Sequence, residues 1–205
     1  MTGSVVVLAV AYLLGSIPFG YLAGRTAGID LRQHGSGNTG GTNAVRVLGP
    51  KRGVPVILLD VAKGALAVLV AKHYGGVGLE VLAATAAMAG HMFPVFLGFG
   101  GGKGVAVGLG ATAALVPVIG LIAVPLWLGL LLLTGYVSVG SIVTALAISL
   151  MAFLFDEPWQ VEAFCVAATV IVLWRHRENI GRLRSRSEHR VNIRGWWAAR
   201  RSTAA

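Results

Sequence analysis

The chain has 205 residues and a formal net charge of +9, and is 56% hydrophobic and only 12% charged, with a mean hydropathy of +0.77. Soluble domains run to about 45–50% apolar and about 25% charged residues, so this composition leaves too little polar surface to cover a water-soluble globule and excludes a disordered chain. A single cysteine, Cys165, excludes an intramolecular disulfide.

The charges punctuate the chain. Residues 4–24 read as a retained first span, because Met1-Thr2-Gly3-Ser4 lacks the basic start of a cleaved signal. A polar, Gly-rich segment, 25–53, carries Arg25, Arg32, Arg46, Lys51 and Arg52 against Asp30. Further spans are expected near 54–72, which contains Asp60 and Lys63, and near 80–97. Residues 104–155 hold no Asp, Glu, Lys or Arg. A single crossing takes about 20 apolar residues, so this stretch folds back on itself. Breaks at Pro117–Gly120 and from Thr134-Gly135-Tyr136 through Ser141 give spans near 104–117, 119–134 and 141–155. A last span, 158–174, precedes a basic tail.

The expected fold class is therefore all-α, a polytopic membrane protein of seven transmembrane helices. Domain organisation is a single unit over 1–190 and a basic, Trp-containing extension over 191–205. With seven crossings, 15 of the 17 basic residues fall on one side, which the positive-inside rule makes cytoplasmic. The N-terminus is then outside and the C-terminus cytoplasmic. Residues 175–205 alone carry +7. That charge suits anionic lipid heads, at about 1 kcal/mol per basic residue near the surface, with Trp196 and Trp197 at the interface. No nucleic-acid recognition motif accompanies it.

Polar residues gather in four clusters. Gly35-Ser36-Gly37-Asn38-Thr39-Gly40-Gly41-Thr42-Asn43-Ala44-Val45-Arg46 combines backbone freedom, amides suited to an anion and a planar cation suited to phosphate. Gly100-Gly101-Gly102-Lys103-Gly104 opens an apolar helix. It fails the P-loop pattern, with Leu97 in place of the first glycine and Gly104 in place of Ser or Thr. Glycine amides and a lysine at a helix start nevertheless attract phosphate. Ser138-Val139-Gly140-Ser141, alone, reads as helix packing. Arg175-His176-Arg177-Glu178-Asn179-Ile180-Gly181-Arg182, alone, reads as a positive-inside anchor. Asp60 and Lys63, spaced i,i+3, form a neutral pair on one helical face. His91, within a span, is either a buried helix residue or a site ligand. No histidine has metal-ligand spacing.

These clusters, in this order, resemble the bacterial acyl-phosphate:glycerol-3-phosphate acyltransferase family (PlsY). The matching text begins with Gly15-Ser16-Ile17-Pro18-Phe19-Gly20, then Gly35-Ser36-Gly37-Asn38 with Thr42-Asn43 and Arg46. Leu58-Leu59-Asp60 with Lys63-Gly64 follows, then Gly90-His91-Met92-Phe93-Pro94 leading to Gly101-Gly102-Lys103-Gly104. Gly135-Tyr136-Val137-Ser138 to Ser141-Ile142, and Arg175-His176 with Asn179-Ile180 and Arg182-Leu183, complete it. The match covers about residues 5–190.

The resemblance implies a multi-pass enzyme of the bacterial inner membrane with its site facing the cytoplasm. It implies transfer of a fatty acyl group from acyl phosphate to the 1-hydroxyl of glycerol 3-phosphate. The products are lysophosphatidic acid and phosphate, in the first acylation of phospholipid synthesis. It implies no cofactor, metal, acyl-CoA or acyl carrier protein, and no obligate protein partner. Its catalytic residues map onto Ser36, Arg46, Lys103, His91 and His176. Its substrate-binding residues map onto Gly37, Asn38, Gly40, Thr42, Asn43, Gly101, Gly102, Gly104, Ser141, Asn179 and Glu188. The chain departs from the family pattern at Arg184-Ser185-Arg186-Ser187, just before Glu188. A transporter of a phosphorylated small molecule is the competing class, because broken helices and intramembrane polar residues also suit transporters.

Overall fold

The computed structural model describes residues 2–191. The expectation for Trp196 and Trp197 lies outside these residues. The described residues contain helices and no strand: α1 (Thr2–Ser16), α2 (Phe19–Thr26), α3 (Gly41–Leu48), α4 (Pro50–Tyr74), α5 (Val77–Met92), α6 (Val105–Leu115), α7 (Pro117–Thr134), α8 (Val137–Leu154), α9 (Trp159–Arg175) and α10 (Arg177–Arg184), with 3-10 turns at Leu31–Gln33 and Val95–Leu97.

Five helical stretches are long and apolar enough to cross a membrane: Thr2–Thr26, Pro50–Tyr74, Val77–Leu97, Pro117–Thr134 and Val137–Leu154. α6 is apolar but has 11 residues, and α9 has 17. α7 buries only Ile119, Gly120 and Ala123, leaving Leu121 76% and Leu133 86% exposed. A continuous apolar face of this kind is stable only against lipid or protein.

Three boundaries differ from the sequence expectation. The first span is broken, because Pro18 lacks the N–H needed to continue α1 and the helix resumes at Phe19. Lys63 Nζ donates to the freed Ile17 carbonyl at 2.8 Å. The 25–53 segment is not all loop: α3 lies within it, and α4 begins at Pro50, where a fixed φ favours the first helical position. The break before α8 is only Gly135-Tyr136, so Ser138 and Ser141 lie on the helix rather than in a turn.

The core is built by close backbone approach. A Cβ on Gly64 would run into the Val107 carbonyl oxygen, and one on Gly110 into that of Val61, so α4 and α6 touch along their main chains. Gly15 and Gly90 do the same for α1 and α5, against Ala87 and Tyr12. Small residues at such crossings are the usual route to tight helix packing in lipid. Asp60 and Lys63 sit inside this core, each with a side chain 2% exposed, 2.8 Å apart, as the i,i+3 spacing predicts.

Candidate active site

At the end of the bundle where α1 breaks, four separate stretches meet around one cavity of about 200 Å³. The first is the loop before α3, which winds around a single side chain. Asn43 is 1% exposed. Its Oδ1 accepts the Ser36 amide at 2.9 Å, and its Nδ2 faces the carbonyls of Leu31, His34 and Asn38 at 3.2, 3.0 and 2.9 Å. The loop closes this tightly because Gly35 and Gly37 have φ of +63° and +69°, and a Cβ on Gly35 would strike Asn43. Asn38 Oδ1 accepts the Gly40 amide at 2.8 Å. α3 then presents Thr42 and Arg46, four residues apart on one face. Ser36, Asn38, Gly40, Thr42, Asn43 and Arg46 all line the cavity. Arg46 makes no hydrogen bond or ion pair among the described residues.

The second stretch is the glycine segment before α6. The Gly101 and Gly102 amides donate to the Met92 and His91 carbonyls, each at 3.1 Å. Their own carbonyls accept from Arg175 Nη2 at 3.0 and 2.7 Å. Gly104, left-handed at φ +83°, starts α6. Lys103 and Gly104 line the cavity, and Lys103 Nζ donates to Asn179 Oδ1.

The third stretch is the first turns of α8. Ser138 donates to Glu188 Oε1 at 2.9 Å, and Trp127 Nε1 donates to Ser141 Oγ at 3.3 Å, leaving the Ser141 proton free to point elsewhere. The fourth is α10 and the segment after it. Asn179 Nδ2 donates to Glu188 Oε1 at 2.6 Å, and Arg182 Nε to Glu188 Oε2 at 2.7 Å. The Val191 amide donates to the Gly135 carbonyl at 2.9 Å, and Arg190 lies over the Tyr136 ring at 5.1 Å, pinning this segment across the start of α8.

The electrostatics suit an anion. Three cations, Arg46, Lys103 and Arg182, line the cavity with two carboxylates; Glu188 is paired with Arg182 and Asp60 with Lys63, so Arg46 and Lys103 have no ion-pair partner among the described residues. Burial, reinforced by Arg182, pushes the Lys103 ammonium down to about 8. Burial, with Lys103 adding to it, pushes His176 down to about 4. The His176 ring is therefore neutral at pH 7. Its Nδ1 lies 2.8 Å from the Val172 carbonyl, which only accepts, so Nε2 carries the lone pair. Burial alone would raise the Glu188 carboxyl, but hydrogen bonds from Asn179, Arg182 and Ser138 outweigh it and hold Glu188 below the usual carboxylate range.

Away from the charged mouth the cavity turns apolar, lined by Val61, Met88, Leu109, Ile148, Cys165 and Ala168. Ser138 and Ile148 are ten residues apart on α8, so the lining descends about 15 Å along that helix. The buried Thr144 hydroxyl, midway, makes no hydrogen bond among the described residues.

Of the residues singled out in the sequence, Ser36, Asn38, Gly40, Thr42, Asn43, Arg46, Lys103, Gly104, Ser141, His176, Asn179 and Glu188 are thus brought together around one cavity. His91 lies at the cavity margin, 8% exposed, with Nδ1 3.6 Å from Asp60 Oδ1. Gly37, Gly101 and Gly102 lie behind the wall. The amides of Gly37, Gly40, Gly101 and Gly102 are already committed to protein oxygens. Sequence reasoning gave no site role to Ser138, Arg182 or Trp127. Arg182 stands i+3 from Asn179 on α10, and that spacing would have revealed it had the helix been foreseen. The Trp127 indole N–H, isolated in an uncharged run, was the one signal for the other.

The family described as Glycerol-3-phosphate acyltransferase matches residues 5–186. The chain is 46% identical over 197 residues to the glycerol-3-phosphate acyltransferase of Synechococcus sp. (strain CC9902), covering 95% of this chain and 98% of that one. It is 44% identical over 182 residues to that of Aquifex aeolicus (strain VF5), covering 88% and 95%. Among solved structures it resembles the glycerol 3-phosphate form of PlsY, an integral membrane glycerol 3-phosphate acyltransferase, with TM-score 0.91, 40% identity and coverage of 95% and 98%. The lysophosphatidic acid form gives TM-score 0.87 at 40% identity, covering 93% and 96%.

Proposed function

The chain belongs to the glycerol-3-phosphate acyltransferase family and is an acyltransferase of the membrane, and from that premise we propose that it transfers a fatty acyl group from acyl phosphate to the 1-hydroxyl of glycerol 3-phosphate. The products are lysophosphatidic acid and inorganic phosphate. The observation that carries this reading is the convergence of Ser36, Arg46, Lys103, Ser141, Asn179 and Arg182 on one cavity whose far half is apolar. Two phosphate-bearing substrates and an acyl tail need those two environments side by side.

In this reading the acceptor phosphate lies against Arg46 and Lys103, aided by Ser36, Ser141 and Asn179. The tail descends between α8 and α9 toward Ile148 and Cys165. Gly37, Gly40, Gly101 and Gly102 give shape, since their amides are committed to protein oxygens and leave charge binding to Arg46 and Lys103. The acceptor hydroxyl oxygen attacks the acyl carbon, the carbon–oxygen bond to phosphate breaks, and the phosphate leaves with the bonding electrons. The hydroxyl proton passes to the departing phosphate. An acyl phosphate is already activated, so the protein contributes mainly positioning and charge stabilisation. Before attack, neutral His176 Nε2 accepts the hydroxyl's hydrogen bond and orients it; the proton is handed to the phosphate oxygen as the carbon–oxygen bond to phosphate breaks.

The same reading assigns seven crossings, with α6 and α9 as the two short ones, the N-terminus outside and the site facing the cytoplasm of a bacterial inner membrane. The charge asymmetry of the sequence supports it: with seven crossings, 15 of the 17 basic residues belong to segments assigned to one side.

The test uses purified protein in detergent with synthetic acyl phosphate and glycerol 3-phosphate. Phosphate release that depends on both protein and acceptor, with lysophosphatidic acid as product, is expected. Release that is independent of acceptor would overturn the reading. Arg46→Ala is expected to raise the KM for glycerol 3-phosphate tenfold or more. An unchanged KM would remove Arg46 from the acceptor site.

A further inference from the structure

We propose that Arg175 is a positioning residue of the acceptor site, acting through Lys103. The inference rests on the acceptor reading above. From sequence, Arg175 reads as a charge that anchors the end of a span at the membrane surface. An anchor of that kind directs its guanidinium to water or to lipid heads. Arg175 instead turns inward and is only partly exposed. The two protons of its Nη2 are spent on two successive carbonyls, Gly101 at 3.0 Å and Gly102 at 2.7 Å.

Those two peptides are held from the other side as well. Their N–H groups donate to the Met92 and His91 carbonyls at the end of α5. Gly102 packs so closely on the His91 ring that a Cβ there would collide with Nε2. The segment is therefore clamped between α5 and α9, and Lys103 is the next residue along it. With main-chain groups satisfied on both sides, the Lys103 side chain leaves the clamp in one direction, toward Asn179 Oδ1 and the cavity. Arg175 does not line that cavity, so it reaches the substrate only by way of the segment it holds. Both bonds leave one nitrogen, and the rigid guanidinium plane fixes the directions of its two N–H groups as a rotating ammonium does not.

The experiment is a double-mutant cycle on glycerol 3-phosphate binding, read by calorimetry of detergent-purified protein at pH 7. R175Q is expected to weaken the dissociation constant about tenfold. In a K103A background the same change is expected to matter less than threefold, because the group it positions is gone. An effect of R175Q below threefold overturns the proposal. So does a tenfold loss that persists in full beside K103A, which is what a general electrostatic or packing role would give. Should R175Q fail to fold, R175K carries the cycle. It keeps the charge and loses the planar group that fixes both Nη2 N–H directions, and at least a threefold loss that disappears beside K103A is expected; a wild-type constant overturns the proposal. Failure of the wild type to bind glycerol 3-phosphate is a separate outcome that overturns the acceptor reading, and the clamp's role with it.

Discussion

Asn179 joins Lys103 to Glu188: its Oδ1 accepts from the lysine while its Nδ2 donates to the carboxylate at 2.6 Å. A neutral amide thus relays between a cation and an anion that do not touch, leaving the lysine's other protons for a ligand. Arg182, on the far side of Glu188 at 2.7 Å, is held by the same carboxylate.

This arrangement makes Glu188 a support. Glu188→Gln keeps an oxygen for Asn179 and Ser138 but removes the charge facing Arg182, and an unsatisfied buried polar group costs about 1–3 kcal/mol. A lower melting temperature and a KM for glycerol 3-phosphate raised at least fivefold are expected, measured by thermal scanning and steady-state kinetics. An unaltered KM would detach Glu188 from the acceptor site.

The lysine sets a pH dependence. Burial and Arg182 bring Lys103 down to about 8, so its charge is present below that pH and lost as pH rises through it. The acceptor phosphate is a dianion above its second pKa of about 6. Acceptor affinity is therefore expected to be greatest between about pH 6 and 8 and to fall toward pH 9.5. Lys103→Arg, whose charge persists, is expected to flatten the alkaline limb even if overall affinity drops. A limb of unchanged slope in that variant would assign the titration elsewhere.

The apolar half of the cavity sets a length limit. Ile148→Trp fills space between α8 and α9 well below the polar mouth. It is expected to lower kcat/KM for long-chain acyl phosphates at least tenfold while sparing short ones. Equal loss across chain lengths would mean that the tail lies elsewhere.

Gly64 and Gly110 bring α4 and α6 into main-chain contact beneath the site. Gly64→Ala forces the helices apart, at the roughly 1–3 kcal/mol typical of overpacking. A depressed melting temperature is expected, with the remaining folded protein active.

That the chain is helical and apolar, and the order of its longest apolar helices, were legible because hydropathy is a bulk property that single residues rarely override; of the seven expected spans, five are long and apolar enough to cross a membrane. The stretches that meet at the cavity were legible too, because glycine, serine, asparagine and cations are conspicuous in an apolar chain. What the sequence concealed was local. Pro18 sits in an unbroken apolar run, and only the geometry of its missing N–H splits α1 from α2. Pro50 opens α4 four residues early because Lys51 and Arg52 disguise the first turn as loop. The glycine amides were expected to face a ligand, yet those of Gly101 and Gly102 turn inward to α5. Arg175 was indistinguishable from a topological anchor, since which way a side chain turns is written in tertiary contacts rather than in spacing.

Glu188 and Val191 return from beyond α10 to bind Ser138 and Gly135 on the far flank of the mouth. Assembly is therefore ordered by translation. Every other wall of the chamber is made before this latch, so the mouth can be pinned shut only at the end of synthesis. A product terminated upstream of residue 188 would lack the carboxylate that joins Ser138, Asn179 and Arg182.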